Sequence, residues 1–490
     1  MRTASGRFSV HGLDGLAGDL LWDGKQSEFT AYAEDETYRV FAGEPTIHGV
    51  LNDMTKVSLL ECVQLSLTRT MRPEGQRQAM RFFPNFIVEG RHHVDAQSAK
   101  IRCIRFFIED AADIFCDYGS FGSTIRAKGL WEQLVKDSPG EYCEPGEMPV
   151  VFFYSGRDEI IRIETSGFAV SAHHNVHWSP PSPSGLRLDN DISTTLDFNE
   201  PQSFADAIGH AISVVNLLSI CAGRAQNWKA VEIDLEGTGF EPLRVTWNHA
   251  PQRVSNRHDD RRPHFRDLPL NPVNRPEEFK RVVTGWVSAY ERDLSAWVRF
   301  SEGFALGSRY TIDRLVGAAN IFDLLSITAA AELPSEFEEA KKVARAAFKK
   351  LPDSELRRNA LDSIARIGKH PLTAKALKRA QVVLDASGGT FPELERVIKY
   401  AIRCRNYFVH GSGSPPVDIY KHRGAHSFLT DALEFVFVAS HFIESGWDVL
   451  AFCRLGGTVS HPFQEFVYHY RDGLAELNAA MAMSPAPMKS

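Results

Sequence analysis

Near residue 277 the hydrophobic pattern of the chain changes its period, and this change divides what the sequence can fold into. Before it, short runs rich in β-branched and aromatic residues alternate with glycine and Asp/Asn turns, at 8–10, 37–41, 56–60, 62–67, 101–108, 148–154 and 159–164. Runs of this kind predict strands, with 155–158 as a hairpin loop joining the last two. Residues 203–222 are apolar on almost every side and predict a buried helix. Strands are expected again at 229–235 and 243–247. After residue 277 apolar residues recur at helical spacing, at 279–300, 312–325, 336–351, 354–367, 373–384, 391–409, 428–450 and 462–482. The expected fold class is α+β multidomain. A β-rich antiparallel domain, sandwich or barrel-like, spans 1–250. An Arg-, His-, Asn- and Pro-rich linker spans 251–276, an all-α helical bundle 277–475 and a loose tail 476–490. The 428–450 helix has more apolar surface than one monomer face uses, which predicts bundle burial or a subunit interface.

Composition removes several function classes. No run of about eighteen apolar residues indicates a membrane span. The N-terminus lacks an apolar signal core, so a cytoplasmic location is expected. Seven cysteines without a C-x-x-C pair read as reduced and mostly buried, which disfavours a zinc ribbon. The net charge of −7 argues against a protein that coats nucleic acid. The distribution says something different. Residues 336–405 hold 16 Lys/Arg against 9 Asp/Glu, a local balance of +7 that leaves −14 for the rest. Such a segment either attracts phosphates or forms solvated helix faces.

The basic segment leads into the stretch 390–411, TFPELERVIKYAIRCRNYFVHG. Thr390 as N-cap with Glu393 three residues on reads as a capping box, with Pro392 in the first turn. Leu394, Val397, Ile398, Ala401 and Phe408 give one apolar side, and Gly411 supplies a left-handed stop. Arg403, Arg405, Asn406 and His410 crowd its end. Asn406 and His410 are four apart and share a face. An arginine, an amide and an imidazole at one helix end suit phosphate ester chemistry. Spacing alone is weak, since Arg244/His249 and Arg253/His258 repeat it. Only Arg405 is followed directly by Asn and closes a helix that stops at Gly. His173, His174 and His177 form a weak metal-ligand pattern without a Cys or acidic partner at close spacing, and no metal is expected. There is no Walker A loop, no G-x-S-x-G and no H-E-x-x-H.

The pattern Arg405-Asn406-x-x-x-His410 resembles the signature of HEPN domains, most closely the ApeA type. GLAGDLLWDG and GVLNDMTKVSLLEC near the start resemble the ApeA N-terminal domain over roughly 6–170, and the helical half resembles the ApeA-like HEPN domain over 277–475. The run from Arg314 matches a helix that usually carries a Glu in this family, with Asp323 at that position here. The resemblance implies a metal-independent endoribonuclease with no cofactor. Arg405, Asn406 and His410 would be catalytic, Asp323 would orient them, and Arg403 and Lys399 would contact RNA. It further implies tRNA anticodon loops as a substrate class, a homodimer through the HEPN domain, and abortive infection triggered by a phage component. Two other readings stay open. One is a non-catalytic HEPN module that binds RNA or protein. The other is a carbohydrate- or peptide-binding β domain with a helical dimerisation partner.

Overall fold

The computed structural model describes residues 2–482 except 11, 35–43, 73–74, 99, 139, 141–143, 180–181, 240, 250–261, 327–334, 367–370, 412–414, 419 and 456. The chain forms two compact units, one of Met1–Ser255 with Arg261–Thr284, the other of Gly285–Ser490 with Asn256–Asp260.

The first unit holds β1 (Arg2–Val10), β2 (Leu13–Trp22), β3 (Glu28–Glu34), β4 (Glu44–Leu51), β5 (Lys56–Arg72), β6 (Gly75–Gly90), β7 (Ile101–Ile108), α1 (Ala111–Ile114), β8 (Phe121–Ile125), α2 (Lys128–Asp137), β9 (Val150–Tyr154), β10 (Glu159–Glu164), β11 (Phe168–Trp178), β12 (Leu188–Gln202), α3 (Phe204–Ala222), β13 (Trp228–Leu235) and β14 (Leu243–Trp247). Six strands close on themselves in the order β1-β2-β3-β6-β5-β4, all antiparallel, which leaves no free edge in the barrel. Its core sets aromatic rings among aliphatic side chains. Phe8 and Phe29 meet with ring centroids 4.4 Å apart, and Phe82 lies 6.1 Å beyond. Gly49 makes room for this, because a Cβ there would sit 2.2 Å from the Phe8 ring. Long β6 joins two sheets along one edge. Arg77–Phe82 pairs with β3, and after Pro84 the stretch Phe86–Glu89 pairs with β14. From there an open sheet runs β14-β13-β7-β12-β11-β10. Helix α3 packs on its apolar face, against Val170, Ala172 and Thr194. By length and composition α3 passes for a membrane span, but most of it is buried inside the unit.

The helices that follow are α4 (Pro276–Arg292), α5 (Leu294–Phe304), α6 (Ile312–Leu324), α7 (Ser335–Lys349), α8 (Glu355–Arg366), α9 (Leu372–Ala386), α10 (Leu394–His410), α11 (Arg423–Glu444), α12 (Val449–Cys453) and α13 (Pro462–Ala482). Central α11 is buried at nearly every position and packs against α6, α9, α10 and α13. Arg314 of α6 and Glu434 of α11 form a buried bidentate ion pair, with both N···O distances 2.8 Å. Arg314 also donates to the Gly307 and Arg309 carbonyls. The other end of α6 is held by Asp293, whose carboxylate accepts the Ser326 N–H at 2.8 Å.

Several expectations are corrected. Strands β9 and β10 do not form a hairpin, because β9 pairs with β8 and β10 with β11. The segment expected as a linker over 251–276 is buried at 267–272, where Asp267 and Leu270 are fully enclosed, and the division between the units falls inside α4. The expected loose tail over 476–490 is helical to Ala482, since Leu477 and Ala480 pack into the core. The strand expected at 37–41 lies outside the described residues. Of the two expectations for the apolar surface of α11, burial inside its own bundle is the one observed.

Two outcomes follow from the clamps on α6. Replacing Glu434 by Ala strands the buried Arg314 charge and should lower unfolding free energy by about 3–5 kcal/mol in urea titrations. A loss under about 1 kcal/mol would show that the pair does not hold the bundle. Burial alone would raise the Asp293 carboxyl. His441 at 3.9 Å, the Ser326 N–H and Arg292 override this and hold it well below the usual carboxylate range. A depressed folded pKa stabilises above the unfolded value and is lost as pH falls. Stability should therefore decline below about pH 4, and Asp293→Asn should flatten that decline in acid titrations.

Candidate functional site

Helix α10 carries the candidate residues, but not through the expected capping box. It begins after Glu393, which sits in the left-handed region at φ 61 with no side-chain cap. The Thr390 hydroxyl donates to the Ser387 carbonyl instead. What sets the start is Phe391, fully buried against Phe435, Phe466 and Tyr470, together with the Tyr470 hydroxyl donating to the Pro392 carbonyl at 2.8 Å. Leu394, Val397, Ile398, Ala401, Ile402 and Cys404 then fill the core. Burial lifts the Cys404 thiol to about 12, so it is inert. The last turn leaves the core: Val409 and His410 are exposed and Phe408 half-buried. Gly411, at φ 64, stops the helix with its N–H on the Tyr407 carbonyl at 2.8 Å, as the sequence predicts.

Arg405 is the centre of the site. Its Nη1 donates to Asn406 Oδ1 at 3.0 Å and to His410 Nε2 at 3.3 Å. Its Nε donates to Asn320 Oδ1 of α6 at 2.8 Å. A guanidinium can only donate, so this contact uses His410 Nε2 as the acceptor, which is the tautomer with the proton on Nδ1. The same logic turns the Asn406 oxygen toward Arg405 and leaves its Nδ2 donors for a ligand. The arrangement presents an imidazole, an amide donor and a fixed guanidinium on one exposed helix end. Such a set can take a proton from a hydroxyl and hold a phosphate oxygen.

Asn320 is the residue that sequence reasoning missed. Asp323 lies one turn further along α6 with an exposed side chain, and among the described residues its carboxylate makes no hydrogen bond or ion pair with Arg405 or His410. Only its carbonyl is engaged, by Lys375 Nζ at 2.8 Å. The contact that orients the Arg405 guanidinium comes from the Asn320 amide and not from Asp323. The signal available was Asn320 itself, a polar residue three positions before Asp323 in an otherwise apolar run. Arg403 and Lys399 are exposed. Arg403 lies over the Tyr400 ring at 5.3 Å, and Lys399 pairs with Glu395 at 3.4 Å, so neither converges on His410 in this state. The histidine cluster dissolves: His173, His174 and His177 lie on strand β11, where His173 and His174 point to opposite faces. No group of metal-ligating side chains occurs among the described residues.

Two family models match the chain, ApeA N-terminal domain 1 over residues 6–286 and Apea-like HEPN over residues 316–449. No curated protein and no solved structure matches it. The first match alone covers more than half of the 490 residues, and the second contains Asn320, Arg405, Asn406 and His410. The chain therefore belongs to the ApeA family of HEPN-type anti-phage proteins, a ribonuclease-related group.

Proposed function

We propose that the chain is an endoribonuclease that cuts RNA at the end of α10, with tRNA anticodon loops as its substrate class and infection as its trigger. The observation that carries this is the convergence of His410 Nε2 and Asn406 Oδ1 on one Arg405 nitrogen while Asn320 fixes the other side of the guanidinium. RNA brings its own nucleophile, the 2′-hydroxyl, so the reaction needs no metal to generate one. The phosphate draws the Arg405 N–H away from His410 Nε2, and the freed lone pair accepts the 2′-hydroxyl proton as the oxygen attacks the adjacent phosphorus. Arg405 steadies the charge that grows on the phosphate oxygens. The 5′-oxygen leaves with a proton, and the products end in a 2′,3′-cyclic phosphate and a 5′-hydroxyl. One chain offers one such imidazole, so we assign the acid to His410 of a second copy in a homodimer. With α11 consumed in its own bundle, pairing falls to the exposed last turn of α10, where Val409 is 45% exposed.

Purified protein incubated with total tRNA tests the reading. Cleavage should survive EDTA, whereas loss restored by a divalent ion would overturn the metal-independent route. His410→Ala should cut about 10²–10⁴-fold more slowly with its melting temperature unchanged, because the side chain is exposed. Arg405→Lys should remain poor, since an ammonium lacks the planar fork. Asn320→Ala should lower kcat by about 10- to 100-fold through a misplaced guanidinium, with little change in KM. A His410→Ala protein cutting at the wild-type rate would sink the assignment. Sedimentation tests the pairing separately: a fully active monomer at micromolar concentration would refute the second-copy acid.

A further inference from the structure

The open sheet of the first unit has two unlike faces, and the pairing register shows why. Across β10, β11, β12, β7 and β13, one row aligns Arg162, Ser171, Thr195, Arg105 and Glu232. The next row on the same face aligns Asp197, Cys103 and Asp234. Residues one position away point to the opposite face, where Val170, Leu196, Ile104, Phe106 and Ile233 are buried. A strand face turned to plain solvent needs no cleft and no enclosed charge. This one has both. A cleft of about 590 Å³ lies over it, lined by Arg102, Arg105 and Arg162 and by Asp158, Asp197 and Asp234.

Part of this charge is already spent. Arg162 holds Asp197 at 3.0 Å, Arg105 approaches Glu232 at 3.4 Å, and His173 meets Asp158 at 3.3 Å. Two polar atoms are left over. Asp234 Oδ1 and Thr195 Oγ1 are buried and have no hydrogen-bond partner among the described residues, and Thr195 is only 5% exposed. A buried acceptor without a donor is costly, and its persistence asks for an occupant. Burial raises the Asp234 carboxyl, with Arg105 opposing and Glu232 and Asp197 adding to it, which agrees with a group that lacks its donor.

We propose that this cleft binds a small zwitterion of the amino-acid or short-peptide class, its ammonium on Asp234 and Thr195 and its carboxylate on Arg102 and Arg105. Charge balance decides the class. Three arginines against three aspartates give a ligand of one sign no net attraction and offer partners to both ends of one carrying both signs. The volume lies within the range of small-molecule sites and exceeds a single small amino acid. Among the described residues no Phe, Tyr or Trp lines the cleft, and the His173 ring there is held by Asp158 and Ser171, so stacking of a nucleobase is not favoured. The site would make the β unit a sensor of a soluble metabolite. It is independent of the nuclease reading, because none of its residues belongs to the helical unit.

Calorimetry and thermal shift on the full chain provide the test. The probes are pools of free amino acids and, separately, of dipeptides at about 1 mM, where weak metabolite binding registers. Inorganic phosphate and putrescine serve as anion-only and cation-only arms. At least one zwitterion pool should bind and raise the melting temperature by about 2 °C or more. The pool that responds separates the amino-acid source from the peptide source. Asp234→Asn, which keeps the shape and removes the unpaired charge, should weaken binding about tenfold or more without lowering the unliganded melting temperature. Arg102→Gln, at an exposed position, should weaken it as well and serves if the first variant misfolds. Silence from both zwitterion pools would overturn the proposal. So would equal binding of phosphate or putrescine alone, or unchanged affinity in both variants.

Discussion

The candidate site depends on where α6 lies, and α6 is fixed by two buried polar clamps. At its start Arg314 forms the bidentate pair with Glu434 of α11. At its end Asp293 captures the Ser326 N–H. Between these points the helix presents Asn320 to Arg405. A slide of α6 by one turn would move it by about 5.4 Å and remove that contact entirely. Buried ion pairs contribute little net stability over apolar packing, but they tolerate few alternative geometries. Here they set register for a hydrogen bond that aromatic packing alone would leave loose. The Phe and Trp cluster around Trp297 and Phe437 supplies cohesion without such directionality.

In the β unit the comparable constraint is β6. It serves the closed barrel with one half of an edge and the open sheet with the other. Pro84 lies between the halves and offers no N–H, and its carbonyl takes the Asn248 amide at 2.6 Å. The two sheets therefore need no separate cores stitched together, since one continuous strand sets both registers. The barrel interior is filled with apolar side chains, whereas the open sheet keeps a polar outer face with a cleft. Ligand capacity falls on the sheet that is not closed.

Much of this was legible. The change of period near residue 277 separates strands from helices, and runs such as Ile101–Ile108 coincide with observed strands. Long β6 and β12 escaped notice because their apolar residues are diluted by Arg, Asn and Asp on the outer face. In β12 the diluting residues Ser193, Thr195 and Asp197 line the polar cleft. The histidines of β11 were read at helical spacing, and only the strand period places them apart. Segment 267–272 looked like a linker by composition, yet tertiary packing buries its prolines and asparagine. At the site Arg405, Asn406 and His410 were found as a motif. Their partner was assigned to Asp323, because the resemblance implies an acid at that position. An amide suffices where the aim is to orient a guanidinium without neutralising it.

That last point bears on why the site sits at a helix C-terminus. The usual anion site is a helix N-terminus, where free N–H groups and the positive end of the dipole meet the ligand. The end of α10 presents carbonyls and the negative end, which repel a phosphate. The cation must therefore come from a side chain, and it must not be captured by those carbonyls. An arginine near a helix end commonly folds onto them. Asn320 prevents this by holding Nε at 2.8 Å and keeping the Nη edge directed toward Asn406 and His410. A carboxylate in its place would hold the guanidinium more tightly but cancel the charge that a phosphate needs. The neutral amide preserves that charge, which suits the proposed binding of a phosphate at this end of a helix.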